Sequence, residues 1–421
     1  MAVLSPAITV ANMTNFASAV VVLVEKKLEE NLRSPLPFLN PQHYRKASFV
    51  KGTNNTLRYL NIPDMVATTN SGTHSAGTSP WLEEGTPPTS EVLAFGYEEF
   101  SAYQAGRTLT VSDKALQENP IDLMANMADK ISRNAIETAN LWVQDKLKAG
   151  TDVTYVGGGT NDDAIGYDDL LDGATVKDAV AKLGAANVMP FPDGSFHGII
   201  HPFSKRDLMS DNEPGGWIDA QRYQGTIAGG LMNGELGSYG GVRFVESAII
   251  QPEVQTGVNV AVTGVRTTGV WTTVAGDHGF KVGDKLYTAA VGTGPTGTIT
   301  AGAAATIYVL TVPSSTTFTA SLTRGGELLV WSTADAQSTN FAKKNTLYST
   351  YILGPDAYAF GDWNAIEVFV TPPGGHTDPL HQSALIGWKG YFGAKILGEG
   401  YTTSAPAVRY KRIVSAAALG A

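Results

Sequence analysis

The chain has 421 residues, enough for two or three compact domains, but only 16% of them are charged, below the roughly 25% typical of soluble proteins. The 30 basic and 39 acidic residues give a formal net charge of −9, which argues against a protein built to grip nucleic acid. The absence of cysteine excludes disulfides, thiolate zinc sites and iron–sulfur clusters. The apolar run at residues 17–24 is too short to span a bilayer and has no basic flank before it, so we expect a soluble protein made in the cytoplasm.

An amphipathic helix is predicted over residues 13–33, where apolar side chains recur every fourth position and Pro35 follows. The apolar stripe consists of Phe16, Val20, Val24, Leu28 and Leu32. A lone helix at a chain end must bury this stripe, and the sequence leaves two partners open: the helix's own domain or a neighbouring subunit.

Extended structure is predicted over residues 46–111, because 56–63 and 97–111 alternate apolar and polar side chains. The stretch between them, residues 67–91, is rich in Thr, Ser and Gly and is much longer than an ordinary hairpin loop. It also carries Trp81 and several aliphatic side chains. We therefore expect a finger that packs on something outside its own domain.

A long helix is predicted over residues 119–150, with Asn119 as its cap, Pro120 in its first turn and Gly150 just beyond its end. Apolar residues follow each other at steps of three and four, and neither Pro nor Gly interrupts them. Such a helix would be about 45 Å long, which suggests a strut.

An α/β pattern begins near residue 174. Short helices are predicted over 175–185 and around 205–209, and strands over 196–201 and 242–245.

The composition changes at about Gln251, and the residues up to Asn345 are rich in Gly, Thr, Val and Ala with almost no helical signal. Short strands are predicted there over 258–262, 285–289, 306–312, 318–322 and 328–331. Beyond Asn345 the earlier pattern resumes, with strands predicted over 365–370, 385–397 and 407–414. We therefore predict a small β domain inserted within a larger domain.

Motifs for catalysis, nucleotide binding or metal binding are weak. There is no P-loop, no Gly-x-Ser-x-Gly nucleophile, and the glycines at 157–159 open no helix. His197 and His201 lie in a strand-like run without the Glu of a zinc-protease helix, so both are predicted to be structural. The acidic stretch 161–172 places Ile165 at the fifth position of a calcium loop, which favours a solvated loop instead.

Four groups of residues resemble the major capsid protein family typified by the podophage N-four. They are Leu82 to Thr89; Ile199 to Pro202 with 233–237 and 241–247; Gly354 to Tyr358; and Asp378 to Gln382 with Gly387 to Lys389. The order of predicted elements likewise resembles the Hong Kong ninety-seven type capsid fold of tailed bacteriophages and herpesviruses. The resemblance implies an α+β fold with an N-arm, an E-loop, a spine-helix P domain, an A domain and an inserted small β-sandwich-like domain.

The resemblance also implies domain boundaries. These are the N-terminal arm at 1–45, the E-loop and flanking P-domain strands at 46–114, the spine helix at 115–150, the first part of the A domain at 151–250, an immunoglobulin-like or similar insert at 251–345, and, at 346–421, the rest of the A domain followed by a return to the P domain.

The function implied is that of a non-catalytic major capsid protein without cofactor or metal. Hexamers and pentamers would form the icosahedral head of the virion in the bacterial host cytoplasm, around double-stranded DNA that is held without sequence-specific binding. Partners would be copies of the chain and portal, scaffolding and decoration proteins, with no membrane. Contacts between subunits are expected from Phe16, Val20, Val24 and Leu28, from Trp81, Leu82, Glu83, Glu84 and Thr86, and from Asp378, Trp388 and Lys389. For each of these residues, packing within its own domain is the alternative.

Three other functions remain open at this point. An encapsulin-like nanocompartment shell would share the fold and enclose an enzyme, and neighbouring genes would distinguish it. A β-rich surface adhesin or carbohydrate-binding protein would need an export signal, and an α/β enzyme would need a convergent polar site that the sequence does not offer.

Overall fold

Two β-sheets, a closed β-barrel, a two-stranded ribbon and one long helix make up the computed structural model. It describes residues 36–49, 56–61, 96–118, 123–211, 235–265, 268–288, 305–329, 337–371, 382–399 and 407–419. The chain from Leu36 to Ala421 is one compact unit.

The described residues form strands, α-helices and short 3₁₀ turns. In chain order the strands are β1 (Tyr44–Ser48), β2 (Thr56–Asn61), β3 (Gly96–Ser101), β4 (Tyr103–Ser112), β5 (Val153–Tyr155), β6 (Phe196–Ile200), β7 (Glu235–Tyr239), β8 (Val242–Glu246), β9 (Glu253–Val254), β10 (Val260–Val265), β11 (Val270–Thr273), β12 (Lys285–Thr288), β13 (Ala305–Ser314), β14 (Thr317–Ser321), β15 (Gln337–Lys343), β16 (Thr346–Leu353), β17 (Tyr358–Thr371), β18 (Ser383–Ile396) and β19 (Tyr410–Ser415). The α-helices are α1 (Asp113–Glu118), α2 (Leu123–Lys148), α3 (Gly173–Ala185) and α4 (Pro202–Met209), and the 3₁₀ turns lie at Pro37–Leu39, Val156–Gly158 and Asp162–Ala164.

The four-stranded sheet has the order β1–β17–β18–β4, with β1 parallel to β17 and the other neighbours antiparallel. Helix α2, the predicted strut, packs on one face of this sheet; its 26 residues span about 39 Å. On α2, small and aliphatic side chains four positions apart allow the helix to approach strand β18 closely. The buried contact consists of Ile131, Ala135 and Ala139 from the helix and Ile386, Trp388 and Phe392 from β18.

The seven-stranded sheet has the order β5–β19–β16–β6–β8–β7, and β9 pairs with one end of β16. Strand β19 is buried along its whole length, although its sequence includes Lys411 and Arg412. Both charges are paired: Arg412 Nη2 lies 2.6 Å from Glu253 Oε1, and Lys411 contacts Asp152. Helix α3 covers one face of the sheet, and Asp172 caps it by accepting a hydrogen bond from the Thr175 N–H at 2.8 Å.

One hydrophobic cluster joins the two sheets through the second half of α2. Val143 and Leu147 of the helix share it with Tyr351 of β16 and with Tyr358 and Ile396 of the four-stranded sheet. The sheets therefore have a continuous core.

The insert is a closed six-stranded barrel with the order β10–β11–β14–β13–β12–β15. Strands occur in four of the predicted stretches, but β11 and β15 were not predicted, and Leu328 and Leu329 are not in a strand. The expected sandwich is corrected to a barrel, because β15 hydrogen-bonds to both β10 and β12 and thereby closes the sheet on itself. The interior is filled by Val262, Trp271, Leu286, Ile307, Val309, Phe318 and Phe341.

The strand pairing groups the C-terminal third differently from the sequence-based boundaries. The resemblance implies that residues 346–421 complete the A domain begun at 151–250 and then return to the P domain, which contains the long helix. Instead β17 and β18 pair with β4 and pack on α2, whereas β19 lies in the seven-stranded sheet. Both pairings join segments far apart in sequence, so strand periodicity carries no information about them.

Candidate assembly surface

Most residues predicted to join subunits lie outside the described part of the chain. These are Phe16, Val20, Val24, Leu28, Trp81, Leu82, Glu83, Glu84, Thr86 and Asp378. Their role in assembly therefore stays a prediction.

Trp388 and Lys389 are described, and the two side chains lie on opposite faces of β18. Trp388 is 3% exposed, packs against α2, and donates a hydrogen bond from Nε1 to Asn134 Oδ1 at 3.1 Å. Lys389 lies opposite Glu367 of β17, and its ammonium is 5.4 Å from the ring centroid of Tyr391. Within the single chain, Trp388 is thus part of the core between helix and sheet.

The ribbon of β2 and β3 forms the base of the predicted finger. It runs from Thr56 paired with Ser101 to Asn61 paired with Gly96, where the chain continues into residues 62–95 outside the described part. Its alternation is clear in β3, whose Glu98 and Phe100 are buried. On the outer face Leu60 is 64% exposed, and the Arg58 guanidinium lies 5.1 Å from the ring centroid of Tyr97.

The buried carboxyl group of Glu98 connects this ribbon to the four-stranded sheet. Glu98 Oε1 lies 3.6 Å from Lys395 Nζ of β18, and Glu98 Oε2 accepts a hydrogen bond from the Gly398 N–H at 3.4 Å. Burial raises the pKa of Glu98, and the opposing effect of Lys395 does not cancel it. Next to this pair, Phe100 packs with Ala47 and Ala359, so the ribbon contacts the sheet through both polar and apolar side chains.

The far end of the four-stranded sheet exposes a group of apolar side chains. Val368, Phe369 and Val370 of β17 and Leu385 of β18 are 38% to 54% exposed. Residues paired across strands share a face, so Phe369, opposite Gly387, lies on the face away from α2, whereas Val370, opposite the buried Ile386, lies on the α2 face. We call Val368, Phe369, Val370 and Leu385 the sheet tip. An apolar group exposed on both faces of a sheet is typical of a surface that another molecule covers.

The barrel is fastened to the rest of the chain through the acidic stretch 161–172. Asp284, which precedes β12 and is fully buried, accepts hydrogen bonds from the backbone N–H groups of Tyr167 and Lys281, both at 2.8 Å, and from Asn345 Nδ2 at 2.9 Å. Lys343 Nζ, at the end of β15, lies 3.5 Å from Asp284 Oδ2 and donates to the Asp163 carbonyl at 2.7 Å. This buried network crosses from barrel to loop.

Two further contacts strengthen the same junction. The Arg324 guanidinium lies 3.8 Å from the ring centroid of Tyr167 and 5.1 Å from that of Tyr308, so it is placed between two aromatic rings. Lys281 pairs with Asp169. The prediction of a solvated acidic loop is therefore wrong for Asp169, whose charge faces the barrel, and no periodicity in the sequence links residues more than 100 positions apart.

The two histidines that were considered as a metal pair have separate structural partners. His201 Nδ1 accepts a hydrogen bond from the Phe203 N–H at 3.2 Å and thereby caps α4. His197 instead contacts His43, which no sequence motif singled out. In the described ranges no cluster of three or more His, Asp or Glu side chains is arranged to hold a metal ion. A search of the same ranges finds no helix with the length and apolar character needed to cross a membrane.

Sequence comparison gives no assignment, since neither a protein-family model nor a curated protein matches the chain.

Comparison of the fold gives a consistent answer. A chain in the capsid asymmetric unit of cyanophage Pam1 is similar over 91% of this chain and 92% of its own length, with a TM-score of 0.51 and 11% sequence identity. A chain in the capsid of Ralstonia phage GP4 is similar over 91% of both chains, with a TM-score of 0.51 and 9% identity. The likeness thus runs over almost the whole length of both chains. The chain therefore has the predicted α+β capsid fold of tailed bacteriophages, the Hong Kong ninety-seven type.

Proposed function

We propose that this chain is the major capsid protein of a tailed bacteriophage, with a structural and non-catalytic role in the virion. The observation that carries the proposal is the end-to-end likeness to the capsid chain of cyanophage Pam1, at 91% and 92% coverage. A fold shared over the whole length leaves little of the chain for an unrelated function.

Two described surfaces support self-association. The sheet tip exposes Phe369 and Leu385 together with their apolar neighbours, and the ribbon presents Leu60 and Tyr97 on its outer face. In a shell each of these surfaces would be covered by a neighbouring copy, because a contact between two different patches repeats around a ring and closes. The low charge of the chain agrees with such coverage.

Further contacts are proposed for the segments outside the described residues. The N-arm stripe and the finger residues 81–86 would reach onto neighbouring subunits, and the ribbon would give the finger a rigid base. Portal, scaffolding and decoration proteins would be the other partners.

The double-stranded DNA would be enclosed without sequence-specific binding. The net charge of −9 supports this, because an acidic inner wall holds DNA at high density without forming strong phosphate contacts. Tight binding of the isolated chain to duplex DNA that weakens steeply with salt would contradict it.

Electron microscopy and sedimentation velocity of the purified chain test the proposal. We expect closed shells, or rings of five and six subunits, either from the chain alone or after addition of a candidate scaffolding protein. A variant that lacks residues 67–91 should have the wild-type circular dichroism spectrum but form no shells. A wild-type chain that stays monomeric at high concentration, with and without scaffold, would refute the capsid function.

A further inference from the structure

A turn at residues 40–43 rests against strand β6 through two histidine side chains. His43 is 2% exposed, and its Nε2 lies 2.9 Å from Nδ1 of His197 in β6. The His197 ring stacks on Phe191, with ring centroids 3.9 Å apart. The two histidines, Phe191 and Arg243 line a cavity of about 520 Å³ between the turn and the seven-stranded sheet. The contact therefore joins the segment that leads into the four-stranded sheet to the other sheet.

The hydrogen-bond partners assign the protons on both rings. His43 Nδ1 lies 3.2 Å from the Pro37 carbonyl oxygen, which can only accept, so Nδ1 carries a proton. Neutral His43 then offers a lone pair at Nε2, and His197 donates to it from Nδ1. His197 Nε2 lies 3.4 Å from Asp193 Oδ2. The contact between the two rings therefore has room for one proton, so the chain of bonds from Pro37 to Asp193 cannot hold when both histidines are fully protonated.

Asp193 provides a fixed negative charge at the end of this chain. Burial alone would raise the pKa of Asp193, but hydrogen bonds from Ser195, Arg243 and His197 outweigh it and lower the pKa to about 2. Asp193 therefore remains ionised at every pH at which a histidine titrates.

The other charged and titratable groups around His43 come from three elements. Arg243 of β8 lies 3.0 Å from Asp193 and is paired with it. At the turn before β17, Asp356 lies 3.8 Å from Arg409. On β1, Tyr44 has a pKa that burial raises above its usual value, so it stays neutral. Among the described residues, the titratable group in direct contact with the His43 ring is His197, whose other nitrogen faces Asp193.

We propose that the His43–His197 contact is an acid-sensitive latch, which holds the turn at residues 40–43 on β6 near neutral pH and releases it when His43 takes up a second proton. That proton would sit on Nε2 and point at the N–H of His197, 2.9 Å away, so two donors and two positive charges would face each other. The backbone bonds next to the latch are from the His43 N–H to Asn40, at 3.0 Å, and from the Ala357 N–H to His43, at 3.2 Å. Release exposes both amides.

The size and direction of the effect follow from linkage. Burial, and secondly the nearby His197, lower the pKa of His43 from 6.5 to about 4 in the closed state. A base with a lowered pKa stabilises the closed state fully above its open-state pKa, and this stabilisation is lost as the pH falls from about 6.5 to about 4. The opening equilibrium should therefore rise about 100-fold between pH 7 and pH 4.

Hydrogen exchange of the full chain, followed by mass spectrometry, tests the latch. In His43→Gln the side chain keeps an N–H donor and a carbonyl acceptor but cannot take up a proton. Comparing this variant with wild type at the same pH cancels the intrinsic dependence of the exchange rate on pH. We expect the amides of His43 and Ala357 to exchange about 100-fold faster in wild type than in His43→Gln at pH 4, and equally fast at pH 7. His278→Gln, which alters a buried histidine of the barrel, is the matched control and should behave as wild type.

Equal exchange of wild type and His43→Gln at pH 4 would overturn the proposal. So would acid-induced exposure of barrel amides such as that of Val309 to the same extent, since this would indicate general unfolding. If His43→Gln does not fold, the wild-type profile decides: corrected exchange of the two amides must rise between pH 6.5 and 4 and level off below, and a flat profile refutes the latch. The latch belongs to the isolated chain and does not depend on assembly.

Discussion

Replacing Asp284 by alanine should weaken the junction between the barrel and the rest of the chain. The carboxylate is fully buried and has four partners, which come from the acidic loop, from the barrel and from Asn345 between β15 and β16. Its ion-pair partner Lys343 has a side chain only 5% exposed, so the substitution leaves an ammonium group without its counter-charge in a dry place.

The expected cost follows from this geometry. Breaking a buried ion pair by removing one partner costs about 3–5 kcal/mol, because the remaining charge stays desolvated. The Asp163 carbonyl still accepts from Lys343 Nζ, and water can enter the space left by the carboxylate, so the lost hydrogen bonds should not add to this range in full. We expect Asp284→Ala to lower the free energy of unfolding by about 3–5 kcal/mol.

Urea unfolding followed by circular dichroism measures this loss. Asp277→Ala changes an exposed aspartate of the same barrel and should stay within about 0.5 kcal/mol of wild type. Adding Lys343→Met to Asp284→Ala should restore most of the stability, since it removes the stranded charge. Burial already lowers the pKa of Lys343 from its usual 10.5, and Asp284 opposes this, so the loss of stability in Asp284→Ala should shrink as the pH rises toward 10.5 and the lysine gives up its proton. Equal stabilities of the two single variants, or no recovery in the double variant, would refute the reasoning.

Three further predictions concern the ribbon, the sheet tip and the core. Because burial raises the pKa of Glu98, the ionised form of this side chain is disfavoured in the folded state. In urea unfolding, the stability of Glu98→Gln relative to wild type should therefore increase as the pH rises from 4.5 to 7. A stability difference that does not change with pH would contradict this. Phe369→Asp should change the melting temperature little, since the side chain is about half exposed, but no shells of this variant should be seen in electron microscopy. The control Val282→Asp, at an exposed position of the barrel, should still form shells. Normal shells from Phe369→Asp would exclude the sheet tip as a contact between subunits. Trp388→Ala should lower the free energy of unfolding in urea by about 3–5 kcal/mol, and Trp388→Phe should lower it clearly less. If Trp388→Ala instead prevents assembly but leaves the stability unchanged, Trp388 acts between subunits.

The spacing of apolar residues predicted helices and strands well where one face of the element is buried. The steps of three and four through Ile131, Ala135 and Thr138 predicted α2, and Ile131 and Ala135 do contact β18; the third buried contact comes from Ala139, which the pattern did not include. The alternation over residues 97–111 predicted extended structure there, and in β3 Glu98 and Phe100 are buried while their neighbours Tyr97 and Glu99 are exposed.

Long-range pairing could not be predicted in the same way. The alternation of apolar and polar residues indicates which face of β17 is buried, but it does not identify β1 and β18 as the neighbouring strands. For the same reason it cannot show that β15 closes the barrel. The junction at Asp284 depends on single charges meeting across more than 100 residues, as with Tyr167, and a carboxylate in sequence looks the same whether it is solvated or buried.

The two ends of the barrel segment lie side by side. Val254 of β9 pairs with Thr346 of β16, and the Gln255 N–H donates to the Asn345 carbonyl at 2.9 Å, so the chain leaves the seven-stranded sheet and re-enters it at neighbouring positions of one ladder. A short turn could connect these positions without moving either sheet, and a different domain with adjacent termini could take the place of the barrel. The insert could therefore be acquired, lost or replaced in evolution while the two sheets, which have their own continuous core, change separately.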